Sequence, residues 1–312
     1  MEYNSGQQVG IQLGRRYGNA EGSTYPHDII PLLKEGDKFV KGDTIAFNEG
    51  FWEVDFLDPR KVVLKTSLLT TVAFEESSVT HEDSSAVSEE LASKLVSKTT
   101  KVKSYVVKFT NNLHDVVKTE QDVDPETVLM SIEDESTVGT GLFDAESSAL
   151  LGKLSRMNPR AGYLGTVDKI EVLYHGDKAD MSPSIKALAD KSDRDMVETC
   201  KALGKPVING RVSGDYRVAG KNLQLDHAEI KFYITVVNSF GVGDKTVFAN
   251  QLKSTTAQTM NYKITTEDGR KVDAIFGGRS AIKRIVNSYG IEGTTTGLLQ
   301  LMDKKSIELY ES

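Results

Sequence analysis

The chain has 312 residues, with 38 Lys and Arg against 45 Asp and Glu, for a formal net charge of −7. Apolar residues at 38% and charged residues at 27% exclude a disordered chain, and the acidic balance excludes a simple nucleic-acid coat while leaving room for a local basic site. The single cysteine, Cys200, excludes a disulfide framework and a multi-thiolate metal site and fits a reducing compartment; no apolar run reaches the roughly 18 residues of a membrane span, and Met1-Glu2-Tyr3-Asn4 does not open a signal peptide.

In chain order, the first predicted helix runs from Ser84 to Ser97, where Val87, Leu91 and Leu95 recur four residues apart. Lys101 to Phe109 and Thr166 to Tyr174 read as strands. Ser182-Pro183 pairs a cap residue with a favourable first helical position. It predicts a helix to about Leu203, with Ile185, Leu188, Met196 and Cys200 as its apolar members. Ile230 to Val237 alternates cleanly, putting Ile230, Phe232, Ile234 and Val236 on one face of a strand. Asp268-Gly269 marks a hairpin turn. Ser280 to Asn287 predicts a short helix with Ile282, Ile285 and Val286 inward. The fold class is therefore α+β and β-rich.

Charge is segregated. Residues 72–90 hold six acids and no Lys or Arg, whereas residues 91–109 hold five lysines and no acid. Residues 112–146 hold ten acids and one lysine, which predicts a solvated, loop-rich insertion. Residues 245–284 hold eight basic residues and three acids.

No Walker-type phosphate loop, paired-His metal motif, nucleophile elbow or Asp-x-Asp-Gly-Asp cage is present, so the chain shows no self-contained active site. Three weaker features remain. Lys245 and Lys253 stand eight residues apart after a strong strand. They are either solvated loop lysines or an anion site for a polyphosphate. Glu82 and Asp83 are adjacent carboxylates ahead of the first predicted helix. They are either capping acids or carboxylates near a metal or metal-bound phosphate. Arg284, eleven residues after Asp273, is either an exposed helix arginine or a fork for a phosphate.

Taken together, the order and spacing resemble the central to C-terminal half of the β subunit of multisubunit DNA-directed RNA polymerases. That family has a strand, Gly-Asp-Lys and a second lysine eight residues on, matched here by Ile230 to Val237, Gly243-Asp244-Lys245 and Lys253. Its Val-Ala-Phe, Glu-Asp and Ser-Glu series matches Val72-Ala73-Phe74, Glu82-Asp83 and Ser88-Glu89. Its Gly-x-x-Val-Asp turn with a later arginine matches Gly269 to Asp273 and Arg284. Pro31 to Ala46 and Gly165 to Val172 are similar to two further stretches, so the resemblance is collinear over about residues 25–290.

There are departures. The family's Gly-Arg-His-Gly-Asn between the lysines is replaced by Phe248-Ala249-Asn250-Gln251-Leu252, and the Gly after the second lysine is Ser254. The aromatic, Gly-rich run before Glu-Asp is replaced by Glu75-Glu76-Ser77-Ser78. Such divergence resembles the split polymerases of giant tailed phages.

The resemblance implies a double-psi β-barrel core from residues 1–110 and 226–290, an insertion with a flap-like region at 111–225, and a docking segment at 291–312. Lys245 and Lys253 would act catalytically and bind NTP phosphates near the RNA 3′ end, with Arg284 holding the triphosphate. Glu82 and Asp83 would lie by the nucleotide, Asp83 beside a second metal. Mg2+ would be held mainly by a β′-like partner. Further implied partners are a separate N-terminal β fragment, a C-terminal β fragment, a promoter-recognition factor, DNA template, RNA product and NTPs, with no membrane. The setting would be the host bacterial cytoplasm during infection, or a virion. Two alternatives stand: a β-like protein without catalysis, and a non-enzymatic β-rich virion or assembly protein.

Overall fold

The computed structural model describes residues 2–20, 22–55, 57–133 and 158–311. Strand makes up 37% of the chain and helix 20%, so the β-rich class is observed. No helix among the described residues is long and apolar enough to cross a membrane. The chain divides into two compact units, one of Met1–Lys65 with Lys98–Val237 and a second of Thr66–Ser97 with Asn238–Ser312. These units and the blocks implied by the resemblance cut the chain at different places.

The first unit is built on a seven-stranded sheet. Its main path runs Gly14–Ala20, Ser23–Pro31, Ser97–Lys108, His227–Asn238, Gly165–His175 and Asp122–Val123, with Ala46–Asn48 added on Ser23–Pro31. Alternation drives the central strand as expected. Ile230, Phe232 and Ile234 are fully buried, while Lys231 and Tyr233 on the other face are half-buried.

Helix α2 (Pro183–Ala202) covers the apolar face with Ile185 and Ala189, both fully buried in the same core; a short helix, α1 (Glu89–Lys94), precedes it in the chain. α2 starts where Ser182 Oγ accepts the Ile185 N–H, and its last turn gives way at Gly204, whose φ of +63° suits glycine. Asp193 anchors it from inside, accepting from Tyr174 Oη at 3.0 Å and from the Gly210 N–H at 2.7 Å.

Residues 112–133 of the acidic stretch are loop-rich with most of their acids exposed, as the charge suggested, but they also pack on the core. Leu113, Val117, Val123, Leu129 and Met130 are buried in this core, because the acids of residues 112–133 sit between apolar positions that turn inward. Residues 134–146 of that stretch lie outside the described residues.

The second unit holds a five-stranded sheet in the order Lys245–Phe248, Leu252–Met260, Ser84–Ser88, Ala274–Phe276, Val72–Phe74. Two of its four pairings are parallel: Leu252–Met260 with Ser84–Ser88, and Ala274–Phe276 with Val72–Phe74. Parallel neighbours need a crossover. The chain between Ser88 and Leu252 supplies one that contains most of the first unit. Each sheet face carries an apolar cluster. Val87, Leu91, Phe248, Leu252, Ala274 and Phe276 form one cluster, and Ala86, Met260, Val272 and Ile275 form another.

Two helix expectations need correction here. Ser84–Ser88 is a strand and only Glu89–Lys94 is helical, because Val87 and Leu91 reach the same cluster from a strand and from the helix that follows it. The second, α3 (Gly278–Ile282), ends before Arg284, and Ile282, Ile285 and Val286 are exposed rather than inward. The last helix, α4 (Ser288–Glu311), takes in residues 297–302 and has no buried residue.

Candidate functional site

All five singled-out residues, Glu82, Asp83, Lys245, Lys253 and Arg284, belong to the second unit. The two lysines are not on a loop. Lys245 opens one strand of a β-hairpin and Lys253 lies on the returning strand, with Lys245 opposite Thr255 and Val247 opposite Lys253. The three-residue connection Ala249 to Gln251 turns through two residues with positive φ, Ala249 at +44° and Asn250 at +60°.

Opposed residues of an antiparallel pair share a face, as do residues two apart. Lys245, Val247, Lys253 and Thr255 therefore share one face, and all four are exposed. Phe248, Leu252 and Ser254 on the other face are buried. The lysines are diagonal neighbours there, with Cβ atoms about 7 Å apart.

The turn before the hairpin is tied to it by main chain. The Gly243 N–H donates to Thr256 O and the Thr256 N–H donates to Asp244 O, each at 2.8 Å. Gly243 has a φ of +94°, which only glycine takes freely. The Asp244 carboxylate accepts the Gly241 N–H at 2.8 Å, so this aspartate shapes the turn.

Glu82 and Asp83 both stand in the left-handed region, with φ of +49° and +60°. Two successive non-glycine residues there cost on the order of 1 kcal/mol each, and such strain concentrates at functional turns. The capping reading of this pair does not apply, because Ser88 caps α1 through the Leu91 N–H at 3.1 Å. The strained turn is held from three sides. The Asp83 N–H donates to Ser280 Oγ at 3.0 Å, Asp83 O accepts the Thr255 N–H at 3.1 Å, and Arg284 Nη2 donates to Asp83 Oδ1 at 3.1 Å.

Thr255 links the two halves of the site. It pairs with Lys245 on one side and with Ser84, the neighbour of Asp83, on the other. Two strand spacings, about 10 Å, separate the Lys245 backbone from the start of Ser84–Ser88. The sheet thus carries a cationic hairpin face, a carboxylate turn and an arginine as neighbours. Ser280 and Thr255 carried no signal in the sequence, since their part in the turn depends on strand pairing. Glu76 plays a structural part, because its Oε1 accepts the Arg279 N–H at 2.6 Å in the first turn of α3.

Chemically, two exposed lysines can bind an anion with at least two charged oxygens, and Asp83 with Glu82 can contribute to a metal. They do not form a cage. Among the described residues, no group of three or more His, Cys, Asp or Glu is placed to hold an ion. No family model matches the chain, and a search of curated proteins finds no match either.

Proposed function

We propose that the chain is a fragment of the β subunit of a split, phage-type multisubunit DNA-directed RNA polymerase. Its second unit would belong to a double-psi β-barrel, and it would act only within an assembled complex. The observation that carries this reading is the grouping of Lys245, Lys253, Glu82, Asp83 and Arg284 in one compact unit, although Asp83 and Arg284 are 201 residues apart in sequence. Mixed parallel and antiparallel pairing in a sheet interrupted by a long insertion also supports it.

In this reading Lys245 and Lys253 are fixed counter-charges for the NTP phosphates and the RNA 3′ end. The hairpin holds both on one face before substrate arrives, so little reorganisation is needed as negative charge grows. Arg284 orients the Asp83 carboxylate and offers its remaining N–H groups to the triphosphate. Mg2+ would be held mainly by the aspartates of a β′-like partner, with Asp83 and Glu82 at its edge, and would supply Lewis-acid activation of the 3′ hydroxyl, whose oxygen would lose its proton and bond to the α-phosphorus as pyrophosphate leaves.

The test is purification of the chain from the cells that make it, followed by nucleotide incorporation. The expected complex contains a polypeptide with Asp-x-Asp-Gly-Asp and extends RNA. Lys245→Ala should lower extension about 10²–10³-fold and leave assembly intact. A chain that purifies alone as an oligomer, or a Lys245→Ala complex with normal extension, overturns the proposal. An assembled complex that extends nothing supports the inactive β-like reading, which the altered Phe248 to Leu252 turn favours.

A further inference from the structure

Helix α4 takes no part in the site above. Its first turn is tied to the second unit, where Gln251 Nε2 donates to Ser288 Oγ at 2.8 Å and the Tyr289 ring packs against that of Phe74 at 5.7 Å between centroids. No residue of α4 is buried among the described residues. Ile291, Leu298, Met302 and Leu309 are each 57–67% exposed. Their spacings of seven, four and seven residues put them on one stripe of the helix, with Thr295 and Lys305 filling the two gaps. Leu299 and Leu301 flank the stripe on its two sides. The same helix carries Gly290, Gly293 and Gly297 around Thr294-Thr295-Thr296, all weak helix formers. A helix of this composition draws its stability from the packing of its apolar face.

We propose that this stripe is an interface with a second copy of the chain, made by two α4 helices lying antiparallel about a two-fold axis at Gln300. The stripe is symmetric about that residue. Ile291 and Leu309 stand nine residues to either side of it, Thr295 and Lys305 five, and Leu298 and Met302 two. An antiparallel pair centred there sets Ile291 against Leu309 of the other copy and Leu298 against its Met302, each contact occurring twice. Leu299 and Leu301, one residue from the axis, each meet their own equivalent. Lys305 meets the hydroxyl of Thr295, and Glu292 of the other copy lies within a helical turn of it, an opposite charge at the edge of the seam. A parallel pair in register would set Lys305 against Lys305 inside the seam, so charge selects the antiparallel arrangement. The pairing is independent of the polymerase reading, which fails if the chain has no companion polypeptide in the cells that make it.

The test is sedimentation equilibrium of the purified full chain over a dilution series. The expected result is a dimer that dissociates to monomer on dilution. Leu298→Glu with Met302→Glu should give a monomer at every concentration. Neither side chain is buried within the chain, so the urea midpoint of that variant, measured against a dilute parent, should stay near the parent value. Lys305→Leu should tighten the dimer about ten-fold, because a charged residue in a helical seam sets register at a cost in affinity. Such a gain cannot come from misfolding. Cys200 is buried, so added cysteines report the orientation. Ile291→Cys chains mixed with Leu309→Cys chains should cross-link to each other on oxidation, and neither should cross-link to itself. A parent chain that stays monomeric overturns the proposal and leaves the stripe to a different polypeptide. A dimer that survives Leu298→Glu with Met302→Glu, or Ile291→Cys chains that cross-link to themselves, overturns it as well.

Discussion

At the scale of single residues, the Asp83–Arg284 pair separates a structural role from a chemical one. The Arg284 side chain is 31% exposed and that of Asp83 54%. Such a pair contributes below about 1 kcal/mol to stability. Asp83→Asn is therefore expected to shift the urea midpoint only slightly. If Asp83 works beside the incoming nucleotide, the same variant should slow extension by the assembled complex about ten-fold or more. Equal, small effects on both readouts would make the pair a surface contact.

Asp28 in the first unit is the contrasting case. Arg15 donates to both of its oxygens, at 2.7 and 2.8 Å, and reaches Asp168 at 2.8 Å. The hydrogen bonds from Arg15 hold the Asp28 carboxyl below the usual range against the opposing effect of burial. A carboxyl lowered on folding stabilises at pH above its unfolded value, about 3.9, and loses that contribution as pH falls through its folded value. Asp28→Asn should thus cost about 1 kcal/mol at neutral pH and nothing well below the carboxylate range. Urea melts at two pH values check this, and a pH-independent difference would reject it.

At the scale of elements, legibility depended on whether one pattern served one element. Ile230, Phe232 and Ile234 alternate within a single strand, and all three are fully buried. Ser182-Pro183 announced α2 because a cap and its first helical residue are chain neighbours. The stretch from Ser84 misled because Val87 and Leu91 keep helical spacing across a strand-to-helix junction. The two lysines were legible as a pair by spacing, but their common face required the hairpin register. The ion pair of Asp83 with Arg284 was not legible in the sequence, since no local pattern spans 201 residues.

The same sheet carries a testable flaw. Ser85 and Thr256 are register partners, fully or almost fully buried, and their hydroxyls have no hydrogen-bond partner among the described residues. An unmet buried hydroxyl costs about 1–3 kcal/mol. Thr256→Val keeps the branched shape that suits a strand and removes the polar atom. It should raise stability by about 1 kcal/mol, read as a higher urea midpoint. A drop would mean that the hydroxyl is engaged in solution.

At the scale of the whole molecule, the two units have separate cores but not separate sequences. The second unit is assembled from Thr66–Ser97 and Asn238–Ser312. Thr100 and Thr235, near the two ends of the first unit's long segment, share a hydroxyl contact of 3.1 Å. That segment therefore leaves and re-enters the second unit through adjacent strands. A chain joining residues 66–97 directly to 238–312 through a short flexible linker should then fold by itself, because loop closure between nearby ends costs little. It would keep all five strands of the sheet, both apolar clusters and the Lys271–Glu90 ion pair. The expected result is a cooperative melt with β-type circular dichroism and, in the intact chain, two unfolding transitions rather than one. An unfolded joined chain, with a single transition in the intact protein, would mean that the cores fold as one. The lysine hairpin would then depend on the long insertion for its stability as well as for its place in the chain.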